Sequence, residues 1–346
     1  CLPGWWDVQW RQAARLAGAG VAVLLLDEIH YLPDWSRLLK AAADRIRREG
    51  VRLHIVATGS SGLRVGRGAR ETMAGRFEML HLSHWPAVEL CSRFGLGADE
   101  AARHVVQRGG YPGAVALVRE PARWRAYVRE SILEPAIGKD ILAMETIRKP
   151  ALLRQVFSVC TGHPAEIISL QKISGQLTDA GALETVAHYL HVLEEAYLVS
   201  AVPKFSPKVV RQRAAPAKLV VLSNAFLSAF QDREPPAPEA DGSTWGRWIE
   251  NACVAFAWNA GQRVCYWRAE PEEVDLVVDG TWGRWAIEIK TGAYALRDLS
   301  GLLEFVRMNR EFRPLVVCAP GAESIARNGG LDVISYADFL LRGPPT

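Results

Sequence analysis

The N-terminal part of the chain alternates between strand and helix patterns. Residues 21–26 form an unbroken apolar run, which is typical of a strand that is buried on both faces of a sheet. A helical segment follows over residues 35–49, and residues 52–57 predict a second buried strand. Polar side chains come directly after both strands. This order predicts a strand, a helix and a second strand, with candidate chemistry at the strand ends.

The middle of the chain is mainly helical in pattern. Helices are predicted over residues 124–133 and 137–147, and Pro150 ends this region, because proline does not fit a helix interior. The next predicted elements are three helices and a strand, over residues 152–160, 166–177, 182–195 and 197–202. That order suggests a winged helix-turn-helix.

The C-terminal part predicts an α/β domain. Large apolar residues at helical spacing predict a helix over residues 245–256. Two apolar, β-favouring runs follow at residues 273–278 and 285–290. The remaining elements are a helix, a strand and a closing strand and helix, over residues 296–310, 314–318 and 332–341.

Three ionisable residues in the two β-favouring runs are the best candidates for chemistry. Asp275 lies in the first run, and Glu288 and Lys290 lie two residues apart in the second, so they share one strand face. Asp275 and Glu288 would supply the two carboxylates with which Mg²⁺ is often bound. Lys290 would then orient a metal-bound water or stabilise charge on a phosphate. The alternative is an ion pair on a solvated strand face.

The turn between the two runs decides whether Asp275 and Glu288 are neighbours. A two-residue turn at residues 279–280 would pair Asp275 with Arg284 and leave it roughly 13 Å from Glu288, at ~3.3 Å per residue. A six-residue loop over residues 279–284 pairs Asp275 directly with Glu288. The site hypothesis therefore predicts the six-residue loop.

The order Glu250, Asp275, Glu288, Lys290 resembles the PD-(D/E)xK nuclease fold. Glu250 borders the apolar stripe of the predicted helix 245–256 and can face the sheet. The resemblance implies that these four residues form a catalytic site around one or two Mg²⁺ ions. It implies that Asp275 and Glu288 are the metal ligands.

The polar residues after the N-terminal strands match a nucleotide site. Asp27 and Glu28 follow an apolar run, as in a Walker B segment, where the Asp holds Mg²⁺ and the Glu polarises the attacking water. Thr58 and Ser60 follow the second strand, at the sensor position of AAA-type ATPases. Arg76 lies where that resemblance suggests a sensor or an arginine finger, and its alternative is a plain surface cation.

With Gly109-Gly110-Tyr111-Pro112, these motifs resemble the prokaryotic AAA-type ATPases that are fused to a C-terminal PD-(D/E)xK-like domain. The resemblance runs through most of the 346 residues and implies ATP and Mg²⁺ as cofactors and a homo-oligomer. It implies an α/β multidomain fold. Its parts are a partial AAA-type P-loop NTPase sheet, a helical lid, a winged helix with a basic wing, and a PD-(D/E)xK-like α/β domain, over residues 1–84, 85–150, 151–218 and 219–346.

One motif of that family is missing. No G-x-x-x-x-G-K-[ST] loop, which cradles the phosphates and supplies a lysine, occurs in the sequence. Only twenty-six residues precede Asp27, and the chain opens on Cys1. We therefore expect a truncated product or a decayed pseudo-ATPase that binds ATP poorly or not at all.

A basic cluster lies between the predicted winged helix and the nuclease-like domain. Its members fall within fifteen residues that contain no acid, and they are Lys204, Lys208, Arg211, Arg213 and Lys218. They suit a wing near DNA phosphates, and the alternative is a solvated connector. Residues 173–203 contain no Lys or Arg, which favours a packing module over a sequence reader, because DNA binding depends on phosphate neutralisation.

Composition narrows the class of protein. At 346 residues the chain is long for one domain, so two to four compact units are expected. A net charge of +3 permits nucleic-acid contact without arguing for it. The six cysteines lack metal-ligand spacing and are typical of buried thiols in the reducing cytoplasm. No apolar run reaches the ~18 residues of a membrane-spanning helix.

The predicted function is that of an AAA-type ATP-binding protein whose ATPase core is incomplete and whose C-terminal domain is a Mg-dependent nuclease acting on DNA. One alternative is a nucleotide-controlled regulatory or binding protein with a non-catalytic nuclease-like domain. Another is a fragment with neither activity.

Overall fold

The chain forms two compact units in a computed structural model. One unit lies within residues 1–82 and 140–146, and the other within 83–139 and 147–346. The predicted lid, winged helix and nuclease-like domain thus all contribute to the second unit. The residues that the structure describes are 4–18, 20–59, 73–141, 147–178, 181–206, 215–230 and 234–345.

The first unit contains a two-stranded parallel sheet, β1–β2. Its elements are α1 (Trp5–Gly18), β1 (Ala22–Leu26), a 3₁₀ turn (Ile29–Tyr31), α2 (Trp35–Glu49) and β2 (Leu53–Ala57). Parallel strands need a crossover connection, and α2 provides it. The predicted order of strand, helix and strand is confirmed.

The sheet of the first unit is covered on one face. Trp10 and Ala13 of α1 and Ala42 of α2 form a core with Leu53 of β2. Alternate strand residues point the other way, where Val23 and Leu25 are 57% and 72% exposed. The prediction that residues 21–26 are buried on both faces is therefore wrong for the described part of the chain.

Helices open the second unit, and their bounds depart from the predicted ones. The elements from residue 87 onward are α3 (Ala87–Phe94), α4 (Ala98–Arg108), α5 (Pro112–Val115), α6 (Pro121–Ala126) and two π-helical segments, Tyr127–Leu133 and Ala136–Ile141. The predicted helix 124–133 is thus α-helical at its start and π-helical afterwards. Residues 142–146, the end of the predicted helix 137–147, lie outside the described residues.

A three-stranded antiparallel sheet follows, with its last strand in the centre. Its elements and their helices are α7 (Pro150–Gly162), β3 (Ile167–Ile168), α8 (Leu170–Ser174), α9 (Leu183–Glu195), β4 (Val199–Val202), β5 (Ala217–Val221) and α10 (Ala225–Phe230). Pro150 starts α7, a first-turn position at which proline needs no N–H donor. The predicted helix 166–177 is shorter than expected because Ile167 pairs with Lys218 in the sheet.

The C-terminal part is an α/β layer around a five-stranded mixed sheet of order β10-β9-β8-β7-β6. Its elements are α11 (Gly242–Asn259), β6 (Arg263–Ala269), β7 (Glu272–Gly280), β8 (Gly283–Lys290), a 3₁₀ turn (Leu296–Leu299), α12 (Ser300–Met308), β9 (Arg313–Cys318), α13 (Ser324–Asn328), β10 (Asp332–Ser335) and α14 (Tyr336–Arg342). Leu302 and Phe305 of α12 share a buried core with Val316 of β9. None of the described helices is long and apolar enough to cross a membrane.

The connection between β7 and β8 corrects one prediction and confirms another. Val278 pairs with Trp285, the register that the six-residue loop requires, but the ladder continues through Asp279–Arg284 to Gly280–Gly283. Only Thr281 and Trp282 remain as a turn. The loop is shorter than predicted because Gly283 adopts a positive φ of 90°, a conformation that glycine adopts without strain, and because Gln262 hydrogen-bonds both turn residues.

Candidate functional sites

The β7–β8 hairpin brings the predicted acids together. Leu276 pairs with Ile287, so the same register, continued by one residue, sets Asp275 opposite Glu288. At that point a side chain replaces the main-chain ladder, because Asp275 Oδ2 accepts the Ile289 backbone N–H at 2.8 Å. Asp275 is therefore fixed against the neighbouring strand. The predicted proximity of Asp275 and Glu288 is confirmed.

Glu288 and Lys290 form a close pair at the end of β8. The Lys290 ammonium donates to Glu288 Oε1 at 2.6 Å, and the Glu288 side chain is 8% exposed. Burial, with the nearby charge of Asp275, raises the pKa of Glu288 to about 8, against the opposing attraction of Lys290. Burial opposes the charge on Lys290 too, but Glu288 outweighs it and the Lys290 pKa is raised. The solvated ion pair considered from the sequence is therefore a half-buried one, with a buried acid and a partly exposed lysine.

The second oxygen of Glu288 has an unusual position. Glu288 Oε2 is buried and, within the described residues, has no hydrogen-bond partner. A buried polar atom without a partner is costly, on the order of 1–3 kcal/mol. Such atoms are uncommon in folded proteins. Glu288 Oε2 is therefore an acceptor that is available to a cation or a proton.

Lys218 completes the cluster, a role that the sequence analysis missed. Its side chain is 1% exposed, and its ammonium lies 2.6 Å from Glu250 Oε1, 3.5 Å from Glu273 Oε1 and 3.6 Å from Asp275 Oδ1. It also donates to the Asp275 main-chain oxygen at 3.1 Å. Burial lowers the Lys218 pKa, but the three carboxylates more than offset that effect and raise it. Lys218 is thus a buried cation of the acid site.

Glu250 reaches the cluster from α11, as predicted. The helix starts at Gly242, where the Asp241 side chain caps it by accepting the Thr244 backbone N–H at 3.0 Å. Burial raises the pKa of Glu250 to about 7, and the attraction of Lys218 opposes this rise. The next residue, Asn251, hydrogen-bonds both the N–H and the carbonyl of Val221 on β5. The strand of Lys218 and the helix of Glu250 are therefore held together directly.

The donor set of the cluster suits a hard cation bound by few protein ligands. Among the described residues, no three His, Cys, Asp or Glu side chains are grouped so that they could hold a metal ion. Mg²⁺ commonly takes one or two carboxylates and completes its shell with water or phosphate oxygens. Asp275 and Glu288, with the free Glu288 Oε2, fit that mode. They would leave open coordination positions for water and substrate.

The N-terminal site assembles at the ends of β1 and β2. The Thr58 hydroxyl donates to Asp27 Oδ1 at 2.5 Å, and the Glu28 backbone N–H donates to the Thr58 hydroxyl at 3.4 Å. Glu28 has a positive φ of 49°, which turns the chain sharply after the strand. Asp27 and Thr58 are both exposed. The structure thus brings together three of the residues that were predicted to bind Mg-ATP.

The remaining predicted nucleotide residues are not placed in that group. The Arg76 guanidinium donates to Asp44 Oδ1 on α2 at 2.7 Å and to the Ala74 carbonyl at 3.2 Å. This arginine and its hydrogen bond lower the pKa of Asp44. Arg76 therefore pairs with a helix acid of its own unit, and Ser60 lies outside the described residues.

The predicted DNA contacts need one correction. Lys218 is buried among carboxylates, so its ammonium cannot reach a phosphate, and it does not belong to an exposed basic wing. Lys204 is partly buried and forms an isolated bridge with Tyr266 of β6. The other three residues of the basic cluster, Lys208, Arg211 and Arg213, lie outside the described residues.

Family models match three consecutive parts of the chain. Residues 9–91 match an AAA domain, residues 99–237 match a domain of unknown function (DUF8612), and residues 242–339 match a second domain of unknown function (DUF4143). Searches of curated proteins and of solved structures gave no match. The chain therefore carries an AAA-type ATPase domain that is fused to further domains.

Proposed function

We propose that the C-terminal domain is a metal-dependent phosphodiesterase that acts on DNA and is attached to an AAA-type ATP-binding domain. The observation that supports this most directly is the buried Glu288 Oε2, to which none of the described residues hydrogen-bonds, on the strand position opposite Asp275. A carboxylate oxygen without a partner needs a cation or a proton. The second carboxylate, that of Asp275, favours a divalent cation there.

Each residue of the cluster has a separate task in this proposal. Asp275 and Glu288 hold the divalent ion, which would activate a water and polarise a phosphate when bound. The Lys290 ammonium, 2.6 Å from Glu288 Oε1, is placed to orient that water or to neutralise charge on the phosphate. Glu250 shapes the site through Lys218 rather than by a direct bond to the ion.

Cleavage of plasmid and single-stranded DNA in Mn²⁺ or Mg²⁺ tests this proposal. We expect Glu288→Gln and Lys290→Met to lower the cleavage rate about 100-fold or more, as is typical when a charge-stabilising group is removed. Glu304→Gln is the matched control, because Glu304 is a partly exposed acid of α12 that pairs with Arg307. Wild-type protein that is inert in both metals, or variants that cleave like Glu304→Gln, would contradict the phosphodiesterase.

The N-terminal unit also has a group of polar residues that suits a nucleotide site. We infer that Asp27 holds Mg²⁺ through water and that Glu28 and Thr58 position the attacking water. Calorimetric titration with Mg-ATP measures this, and we expect weak binding in a sequence that contains no G-x-x-x-x-G-K-[ST] loop. Binding that is unchanged in Asp27→Asn would argue against the Asp27 assignment.

A second candidate function rests on Lys218. A buried ammonium that already pairs with Glu250, Glu273 and Asp275 also suits a non-catalytic scaffold that binds a partner under control of the ATPase domain. Calorimetry separates the two candidates. A catalytic site binds Mn²⁺ and loses it in Glu288→Gln, whereas a scaffold binds no Mn²⁺ in either protein.

A further inference from the structure

The ammonium of Lys218 lies in a cage of acidic and carbonyl oxygens. Four oxygens from three acids lie within 3.6 Å of it, namely Glu250 Oε1, Glu273 Oε1, Asp275 Oδ1 and the Asp275 carbonyl oxygen. A lysine ammonium has three N–H donors, so these oxygens exceed its donors. Such a cage selects for positive charge more than for a particular hydrogen-bond pattern.

The balance of charges in the cluster also favours a bound positive charge. Four carboxylates, those of Glu250, Glu273, Asp275 and Glu288, face two ammonium groups, those of Lys218 and Lys290. With all four acids ionised, the carboxylates exceed the two ammonium groups by two negative charges, and the Arg268 guanidinium, 3.8 Å from Glu273 Oε2 and 2.7 Å from Glu270 Oε1, offsets part of that excess. Without Lys218 that excess would rise by one, and Glu250 would lose the ammonium that lies 2.6 Å from its Oε1.

We infer that Lys218 is a built-in substitute for a second cation, so that the site takes one divalent ion at Asp275 and Glu288 and none among Glu250, Glu273 and Asp275. This inference rests on the proposed metal site. It identifies Lys218 as a positioning residue that sets the metal stoichiometry. The lysine is supplied by the central strand of the three-stranded sheet, so that sheet has a direct part in the site.

The distances agree with an ammonium and not with a metal in the cage. Mg²⁺ requires oxygens at about 2.0–2.1 Å and Ca²⁺ at about 2.3–2.6 Å, whereas Glu273 and Asp275 lie 3.5 and 3.6 Å from the Lys218 nitrogen. The two side chains would have to move inward by about 1 Å or more to bind an ion. With Lys218 present, its ammonium stabilises both carboxylates at these distances. Without it, mutual repulsion in a buried site favours uptake of a cation.

Counting bound Mn²⁺ in the full chain tests the inference. Isothermal titration calorimetry and electron paramagnetic resonance give the number of ions bound by the wild type, Lys218→Met and Lys218→Arg. Methionine keeps the length of the side chain without its charge, and arginine keeps the charge. Lys172→Met is the matched control, because Lys172 is an exposed lysine of α8.

We expect one bound ion in the wild type, Lys218→Arg and Lys172→Met, and two in Lys218→Met. One ion in Lys218→Met overturns the inference but leaves the proposed function intact, since Glu288→Gln still removes that ion. No ion in the wild type overturns both the inference and the metal site on which it rests. The two failures are therefore distinguishable.

The stability of Lys218→Met gives a second readout if the variant folds poorly. A cage that can accept a cation gains stability when Mn²⁺ binds to the folded state. Saturating Mn²⁺ should therefore raise the Tm of Lys218→Met by more than it raises the Tm of the wild type, or restore its folded circular dichroism spectrum. A variant that remains unfolded in Mn²⁺, or gains no more than the wild type, contradicts the inference.

Discussion

The two units of the chain place acidic residues by different means. In the first unit, Asp27 is exposed at the end of a strand and is held by the Thr58 hydroxyl. In the second, Glu288 is buried and is held by the ammonium of Lys290. The charge of an acid at an open strand end is stabilised by hydration, whereas a buried acid needs a counter-charge from the chain itself. The second site is therefore built with its own cations.

The sheets around these acids also differ in how fully their faces are buried. The β1–β2 sheet has one covered face, and Leu25 on the other face is 72% exposed. The five-stranded sheet buries residues of both parities on β8, such as Trp285, Ala286 and Ile287. Exposed apolar surface of this kind marks contact or aggregation sites in proteins generally. The contrast predicts where substitutions are tolerated and where they unfold the chain.

The largest effect expected from this contrast is at Lys218. Lys218→Met leaves the buried acids without their cation, and removal of one partner of a buried pair costs about 3–5 kcal/mol. In the first unit, Arg76→Met removes the partly exposed pair with Asp44, where we expect a loss of about 1 kcal/mol or less. Urea unfolding and hydrogen exchange of the β5 amides measure both. Equal losses in the two variants would contradict the contrast between the buried and the partly exposed pair.

Adjacent leucines of β1 sharpen the contrast within one strand. Leu26 is 4% exposed, whereas Leu25 is 72% exposed. We expect Leu26→Ala to lose about 2–5 kcal/mol in the free energy of unfolding, because it leaves a cavity. Leu25→Ala should change it by about 0.5 kcal/mol or less. Thermal unfolding of the two variants is the measurement, and a large loss at Leu25 would show that another part of the protein covers it.

A third expected effect is a change in the pH dependence of stability at Glu288. Because its folded pKa of about 8 lies above the ordinary 4.5, the folded state binds this proton more tightly than the unfolded state. The stabilisation is complete at pH values below 4.5 and is lost as the pH rises from there to about 8. The loss has a limit of about 1.4 kcal/mol per pH unit. In EDTA, Glu288→Gln should flatten this slope.

The groups facing Glu288 define the control for that measurement. Asp275, Lys290 and Glu250 all act on its ionisation, and Glu250 is itself raised to about 7. Part of the slope should therefore remain in Glu288→Gln. Glu304→Gln, at a partly exposed acid, should keep the wild-type slope. A wild type whose stability rises between pH 5 and pH 8 would contradict the direction derived for the buried acids.

Much of the C-terminal site could be predicted from the sequence because its geometry is local. The register of β7 against β8 can be predicted by requiring that Asp275 lie opposite Glu288. The position of Glu250 can be predicted from the helical spacing of its apolar neighbours. The length of the turn did not follow. It depends on Gln262 at the start of β6, whose side chain hydrogen-bonds Thr281 and Trp282, a tertiary contact that no local pattern indicates.

The local sequence pattern could not assign Lys218 correctly because its neighbours in sequence indicate an exposed position. It follows four basic residues, which suggests an exposed wing. The contrary signal was the apolar run that begins directly after it, Leu219 to Leu222, all of it buried. A lysine that opens a buried central strand must either reach solvent or meet acids. Only the approach of α11 and β7 decides which of the two occurs.

The hydrogen bond from the Ile289 N–H to Asp275 Oδ2 has a consequence for mutagenesis. A side chain that closes a strand ladder has two roles at once, as a hydrogen-bond acceptor for the fold and as a charge for the site. Alanine at position 275 removes both, so a loss of activity in Asp275→Ala would mix misfolding with lost chemistry. Asparagine keeps a carbonyl oxygen that can accept the Ile289 N–H, and Asp275→Asn therefore isolates the contribution of the charge.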